Sequence, residues 1–288
     1  MGDALRAMAG HAGHWSRRVV ILGGTFAVIG AACYGSHYAD RLRLRRVARE
    51  VAAGQALPSE RVLALLDWVY HNKGFRRNRR YFLLPQLRAT PVQVMLEGGD
   101  CADKSRLLSA LLREIRIPNT MLMCFSRAGR EPSHTVVEAR VEGGSHMVVD
   151  PVYRLWFPRP GSGGYYGLLD LRADPGILER RLDEVCAAAP RRSPLHSYNR
   201  QSAVYDAASS VNWDRNLLTM IMKKLIEARR GEDVYRWPRP VVLEEPKLFV
   251  TAGFVVAAVS CLVLRVVFRV RRAECSPSLP AGVLACGR

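Results

Sequence analysis

Three residues in the middle of the chain have the types and the order needed for nucleophilic catalysis by a thiol. The first is Cys101, which follows Gly98, Gly99 and Asp100 and opens a strongly patterned segment. A cysteine in the first turn of a helix is favoured as the thiolate, because the unpaired N–H groups and the helix dipole both stabilise negative charge. The sequence therefore predicts a nucleophilic cysteine.

A histidine and an aspartate follow this cysteine. Residues 135–141 and 146–149 are rich in β-branched types and are separated by turn-forming residues 142–145, which predicts a β-hairpin. His134 stands at the start of the first strand and Asp150 at the end of the second, so antiparallel pairing brings the two together. A nucleophilic thiol needs a base and a third group that orients the base, and these residues supply both.

Each of the three residues also has a purely structural interpretation. A cysteine that stands alone is more often a small buried side chain than a nucleophile. His146 is a second candidate base, but it lies four residues before Asp150 on one strand, where the two side chains do not meet easily. Asp150 with Pro151 also starts a turn, which is compatible with a role as the orienting carboxylate.

The segment after the cysteine is predicted to be a helix. Its apolar residues recur at intervals of three and four, which gives one buried stripe and leaves polar residues on the other face. Asp100 is placed to cap the first turn, and Gly98 and Gly99 allow a tight entry. Pro118 prevents continuation beyond Ile117. The stripe consists of Leu107, Leu108, Ala110, Leu111, Leu112 and Ile115.

Three sequence blocks carry a resemblance to a known family. GDCADKSRLLSALLREIRIP, HTVVEARVEGG and VVDPVY, in this order and spacing, resemble the core of the transglutaminase-like superfamily, and the resemblance spans about residues 58–158. It implies an α+β fold in which a central helix packs on an antiparallel sheet, a relative of the papain-like arrangement. It also implies Cys101 as nucleophile, His134 as general base and acid, and Asp150 as the orienting carboxylate.

The chain departs from the family pattern next to the histidine and the aspartate. Many relatives carry aromatic residues there, so the walls of the substrate groove are expected to differ. This chain has valines instead: Val136, Val137, Val148 and Val149. The calcium sites of the large animal transglutaminases have no recognisable counterpart, and we predict neither a metal nor a cofactor.

The donors of an oxyanion hole are less visible in the sequence. The backbone N–H of Cys101, at the helix start, is a natural donor to a developing negative oxygen. Trp68 and Gln93 lie upstream and carry N–H groups, although the periodicity around Trp68 favours a core position. Glu138 and His146 are candidates for residues that support the site indirectly.

Two apolar segments are long enough to act as membrane anchors. Residues 19–39 contain no Asp, Glu, Lys or Arg. Residues 247–268 form a second apolar run, whose charged residues are Lys247 at its start and Arg265 near its end. Both approach the roughly 20 residues that cross a bilayer as a helix. The first run also fits a signal peptide, but its end lacks a clean cleavage site, so a retained anchor is preferred.

Arginines on both sides of these runs give the orientation. Arg17, Arg18 and the arginines of residues 265–272 favour a cytoplasmic position for both termini, whereas the arginines of residues 41–49 oppose it. Long domains translocate largely regardless of charge, so the short N-terminal and C-terminal tails are given more weight in assigning the orientation. The chain is therefore expected in a bacterial inner membrane with the intervening domain outside the cytoplasm.

The region after the core carries fewer signals. Residues 158–164 are typical of a loop, residues 174–188 and 213–229 are predicted helices, and residues 218–226 are expected to be a packing face. The full division is a basic tail (1–18), a membrane helix (19–39), a basic juxtamembrane segment (40–57), the core (58–158), a helical extension and linker (159–246), a membrane helix (247–268) and a tail (269–288).

The formal net charge of +17 raises the question of nucleic-acid binding, above all at residues 75–81, where basic and aromatic residues are interleaved. Anionic lipid headgroups explain arginines beside membrane helices more simply, and no nucleic-acid-binding motif accompanies the charge. Nucleic acid is therefore not an expected partner. The seven cysteines show no CxxC pair and no zinc-ligand spacing.

Taken together, the residues and the resemblance predict a membrane-anchored cysteine enzyme that acts on an amide bond of a peptide or protein through an acyl-enzyme. Hydrolysis is preferred, which corresponds to a peptidase or amidase. Two alternatives stay open: acyl transfer that crosslinks proteins, and a catalytically idle membrane accessory that keeps the fold to bind a partner. Membrane lipids are the other expected partner, and the sequence does not predict the oligomeric state.

Overall fold

The computed structural model describes residues 2–76, 81–126, 132–161, 163–200 and 204–274. It contains two compact units, one formed by His37–Pro246 and the other by described residues before and after that range. Parts of the predicted basic stretch 75–81, loop 158–164 and tail 269–288 lie outside the described residues. The helices are α1 (Gly2–Val51), α2 (Pro58–Asn72), α3 (Pro91–Glu97), α4 (Cys101–Glu114), α5 (Leu168–Ala173), α6 (Gly176–Ala188), α7 (Leu217–Arg230), α8 (Val241–Glu244) and α9 (Pro246–Glu274). The strands are β1 (Asn119–Phe125), β2 (Pro132–Arg140), β3 (His146–Asp150), β4 (Leu155–Trp156) and β5 (Val204–Ser209).

The larger unit is built on an antiparallel sheet. Within the described residues its five strands run in the order β4-β3-β2-β1-β5. β2 and β3 form the predicted hairpin, in which Arg140 pairs with His146 beside the short turn Glu142–Gly144. β1 pairs with the other edge of β2 and places Cys124 opposite His134. The α+β class predicted from the sequence is confirmed.

Alternating valines explain why the hairpin segments are strands with two buried faces. Val137 and Val149 lie on one side of the sheet, in a core cluster shared with α2, α3 and α4. Val136 and Val148 lie on the other side and pack with α5 and α6. All four are fully buried. They therefore belong to the core of the domain, and a difference in the groove walls stays a prediction.

Helix α4 packs on the sheet as predicted, but it is buried on its polar face as well as on its apolar stripe. The buried polar residues include Ser105, whose hydroxyl donates to the carbonyl of Thr135 at 2.8 Å. Arg106 and Asp103 form a buried ion pair at 2.8 Å. Burial on all sides is possible because such groups pair inside the domain. The polar face predicted for this helix is thus an internal contact surface.

The C-terminal part of α1 belongs to the larger unit. Leu44 and Ala48 are buried in its core. Arg41 and Arg45 donate to the two carboxylate oxygens of Glu114 at 2.5 and 2.9 Å. The predicted basic juxtamembrane segment therefore supplies both packing and ion pairs to the domain, while the domain boundary drawn at residue 58 stays a prediction.

Among the described residues, two helices are long and apolar enough to cross a membrane: Arg17–Val51 within α1 and Pro246–Val270 within α9. The two predicted spans lie inside them. In the smaller unit these helices approach closely, since a Cβ added at Gly23 would lie 3.0 Å from the Cβ of Cys261. Small residues allow such close approach between membrane helices.

The two helices predicted in the extension are present as α6 and α7. Leu178 and Leu182 of α6 are buried, whereas no residue of α7 is buried. The packing face predicted at residues 218–226 is therefore wrong. The reason is orientation, because α7 turns its more polar side toward the domain.

Candidate active site

Cys101 begins helix α4 after a tight entry formed by two glycines. Gly98 has a φ of 80°, and a Cβ added there would lie 2.5 Å from the carbonyl oxygen of Gly74. Gly99 donates its N–H to the same carbonyl at 3.3 Å. The carboxylate of Asp100 accepts a backbone N–H of the first helical turn at 3.0 Å. The predicted glycine turn and helix cap are confirmed, and they place the cysteine in the first turn.

The β2–β3 hairpin brings His134 to Asp150. Nε2 of the histidine lies 2.6 Å from Oδ2 of the aspartate, and both side chains are buried. The other carboxylate oxygen, Oδ1, accepts the N–H groups of Val152 and Tyr153 at 2.8 and 3.3 Å. The aspartate thus contacts the histidine with one oxygen and holds the following turn with the other, which fits both interpretations considered from the sequence.

The environment of His134 favours a protonated ring. Burial lowers the pKa of this imidazole, but the charge and hydrogen bond of Asp150, with smaller contributions from Cys101, outweigh it and raise the pKa from 6.5 to about 10. The Cys101 contribution includes a side-chain hydrogen bond. Because the aspartate holds Nε2, Nδ1 is the ring nitrogen left for the thiol. The structure therefore brings the three predicted residues together with the imidazole in the middle.

His146, the rival base, occupies the other end of β3. Its Nδ1 lies 3.2 Å from Nη1 of Arg236. Burial and the charge of that arginine lower its pKa. The ring lines a surface cavity together with Arg159 and Asp170. The hairpin register thus places His134, and not His146, beside Asp150.

A second thiol, Cys124, lies next to the candidate site. Its backbone pairs with His134 across β1 and β2, and its side chain is fully buried. Burial, with the nearby negative groups of Asp150 and Cys101, raises the pKa of Cys124 well above its ordinary value. Cys101 is partly exposed instead. Of these two thiols, Cys101 is the one that a substrate can reach.

Two tyrosines that sequence reasoning missed flank the histidine. The rings of Tyr153 and Tyr198 lie 5.8 and 6.4 Å from the His134 ring, and 4.7 Å from each other. Tyr153 was open to prediction, because it stands three residues after Asp150. Tyr198 follows α6, and no local pattern connects that segment with the hairpin.

Lys104 is another residue that sequence reasoning missed. It lies one helical turn after Cys101 and is 2% exposed. Its Nζ is 5.8 Å from the centroid of the Tyr70 ring. Burial lowers the pKa of Lys104, and the attraction of Asp150 opposes part of this effect. A buried cation therefore lies near the carboxylate of the candidate site.

Three other residues considered from the sequence have structural contacts. The side chain of Gln93 accepts the N–H of Thr90 at 2.8 Å and completes the N-terminal cap of α3. Trp68 packs against the core of the larger unit. Glu138 accepts the N–H of Leu168 at 2.8 Å, at the start of α5. These contacts account for their positions without any part in the chemistry.

Comparison with known proteins identifies the same part of the chain. The family model of the transglutaminase-like superfamily matches residues 45–151. Among solved structures, a proposed cysteine protease from Cytophaga hutchinsonii is 22% identical, with a TM-score of 0.34 over 43% of this chain and 40% of that chain. A proposed protease from Parabacteroides distasonis is 14% identical, with a TM-score of 0.29 over 45% of this chain and 29% of that chain. No curated protein matches.

The matched residues contain the cysteine, the histidine and the aspartate of the candidate site. Residues 45–151 include the start of α4 with Cys101, both hairpin strands, and the pair formed by His134 and Asp150. This chain spans less than half the length of either solved structure. Residues 45–151 of this chain therefore match the transglutaminase-like superfamily.

Proposed function

We propose that this protein is a membrane-anchored cysteine enzyme that attacks amide bonds through an acyl-enzyme at Cys101. The observation that carries the proposal is His134, which contacts Asp150 and the thiol and has a pKa raised to about 10. The imidazole is therefore protonated at neutral pH, and its positive charge beside the sulfur favours the thiolate, which is the nucleophilic form of cysteine.

In the proposed reaction the thiolate sulfur attacks the carbonyl carbon of an amide, and the π electrons of the carbonyl move to its oxygen. The N–H groups at the start of α4, including that of Cys101, stabilise this oxyanion. When the intermediate collapses, the amine leaves with the proton from Nδ1 of His134. A thioester on the cysteine and a neutral imidazole remain.

The acceptor of the acyl group decides the product. Water that gives a proton to His134 attacks the thioester, releases a carboxylic acid and restores the charged pair. We favour hydrolysis, because Cys101 is partly exposed and the resemblance is to compact microbial members of the superfamily. A primary amine as acceptor would make the protein a crosslinking transferase. The non-enzymatic alternative is an accessory protein that keeps the fold but catalyses no reaction.

The membrane part of the proposal depends on the apolar helices in α1 and α9. We place them in a bacterial inner membrane with the larger unit outside the cytoplasm, because both short tails carry arginines. A phosphatase fused to the C-terminus tests this orientation. It is expected to stay inactive in the cytoplasm, and an active fusion would reverse the assignment.

The activity is tested with the full chain and a library of peptides, with and without an added primary amine. Wild-type protein is expected to release carboxylic acid products, and Cys101→Ala to release none. Cys186→Ala is the matched control, because this thiol lies in α6 outside the site, and it should keep full activity. Amine-linked products as the main outcome would favour transfer. If neither product forms and an alkylating reagent shows no preference for Cys101 over the other cysteines, the accessory alternative is favoured.

A further inference from the structure

Helix α7 turns its apolar side outward. At 3.6 residues per turn, five of its apolar residues fall on one side: Leu217, Leu218, Ile221, Met222 and Leu225. All five are exposed, and the exposed fractions of the three leucines are 71, 68 and 64%. An amphipathic helix of a soluble domain buries this side. In the part of the chain that the structure describes, nothing buries it.

The opposite side of α7 faces the rest of the larger unit. Thr219 and Lys223 are half-buried there. Nζ of Lys223 lies 5.2 Å from the centroid of the Tyr235 ring, and the guanidinium of Arg230 lies 5.2 Å from that of Trp237. Cation–π contacts of this kind are stabilising. The outward apolar side is therefore the consequence of specific contacts made by the polar side.

The charges of α7 suit an anionic surface. Lys224 and Arg229 are exposed. Their aliphatic stems can lie along apolar surface while the charged ends reach phosphate oxygens. Glu227 is the acidic residue of the helix, and it lies nine residues after Leu218, about half a turn away around the axis. The apolar side therefore carries no negative charge that would repel anionic lipid.

We propose that α7 is an interfacial anchor whose apolar side inserts among the headgroups of an anionic lipid bilayer. Helices with an aliphatic face and basic residues lie in this interface, with the apolar face about 5–10 Å deep. A protein partner is less favoured, because Lys224 is exposed beside the apolar side, and lysine is depleted at protein interfaces. The chain also carries two helices able to cross a membrane, so a bilayer is within covalent reach.

A photoreactive amino acid at position 218 of the full-length chain tests this inference. The protein is reconstituted in vesicles of phosphatidylcholine, alone or with phosphatidylglycerol, and irradiated, and the adducts are identified by mass spectrometry. Position 227 is the matched control, because it is also exposed but lies on the opposite side of the helix. Lipid adducts are expected at position 218, at least about tenfold above those at position 227.

The contribution of the basic residues of α7 to lipid binding is tested separately. Replacement of Lys224 and Arg229 by Gln should lower the adduct yield at position 218 in vesicles with phosphatidylglycerol, because each basic residue near an anionic surface contributes roughly a fivefold factor in binding. In phosphatidylcholine alone, the yield should not change.

Equal lipid labelling at positions 218 and 227, or labelling of a second copy or another polypeptide at position 218, would overturn the proposal. Position 225 gives an independent repeat on the apolar side, and near-ultraviolet circular dichroism identifies any variant that fails to fold. The inference does not depend on amide chemistry. The Cys101→Ala chain should therefore give the same lipid adducts, so failure of the anchor and failure of the enzyme are distinguishable.

Discussion

Asp150→Asn should move the proton of the candidate site from the histidine back to the thiol. The substitution keeps the size of the side chain and a hydrogen-bonding group beside Nε2 of His134, but it removes the negative charge. In the wild-type site that charge and its hydrogen bond overcome the effect of burial and raise the pKa of the ring to about 10. Without the charge, burial is left to lower the pKa of the histidine.

The size of the effect follows from the raised pKa of His134. A rise from 6.5 to about 10 corresponds to about 5 kcal/mol in favour of the imidazolium, at about 1.36 kcal/mol per pKa unit. Loss of this stabilisation in the Asn variant removes the positive charge that favours the thiolate beside it. The alkylation rate of Cys101 at pH 6, relative to its plateau, should therefore fall at least about tenfold.

The assay is the rate of alkylation of Cys101 by iodoacetamide between pH 5 and about 10, followed by mass spectrometry of its peptide. Each rate is divided by the plateau of the same variant, because thiolates of different basicity differ in nucleophilicity. In wild-type protein the inflection of the rate should lie at a lower pH than in the Asn variant. Cys186, in α6, is the internal control and should react alike in both proteins. A wild-type profile with the inflection of an ordinary thiol, or an unchanged profile in the Asn variant, would refute the reasoning.

Further predictions concern stability. In Cys101→Ala the free energy of unfolding should fall as the pH rises above about 6.5, because Asp150 still raises the folded-state pKa of His134 and this stabilisation is lost as the ring deprotonates. Addition of Asp150→Asn should remove that slope, and a slope that persists would exclude this pair as its source. Gly98→Ala should cost about 2 kcal/mol more than Gly54→Ala in urea unfolding, because both glycines have positive φ but only a Cβ at the first meets backbone, at 2.5 Å. Equal losses of unfolding free energy in the two variants would show that the backbone shifts to relieve the contact of the added Cβ. Lys104→Met should raise the Tm at neutral pH, because burial disfavours the ammonium. The gain should shrink as the pH approaches about 10.4, and a gain independent of pH would point to packing instead.

Local geometry explains how much of the site could be predicted. Asp100 and the glycines before it specify a helix start, so the first-turn position of Cys101 follows from neighbouring residues. A five-residue connection and alternating valines fix the register of the hairpin, which brings the ends of its strands together. His134 and Asp150 therefore meet through contacts that are local in the chain.

Long-range packing explains what could not be predicted. Tyr198 reaches the histidine from beyond α6, and Lys104 is buried because neighbours surround α4 on all sides. The period of α7 identifies an apolar side, but a period contains no information about what covers that side. Leu218 is accordingly exposed where a buried position was expected.

The most direct test of the central claim is capture of the acyl-enzyme. Full-length protein is quenched with acid during turnover of a peptide substrate, and its cysteine peptides are analysed by mass spectrometry. We predict a thioester on Cys101 that hydroxylamine removes, with Cys124 and Cys186 unmodified, and no adduct in Cys101→Ala. Turnover without an adduct on Cys101, or turnover that survives Cys101→Ala, would contradict it.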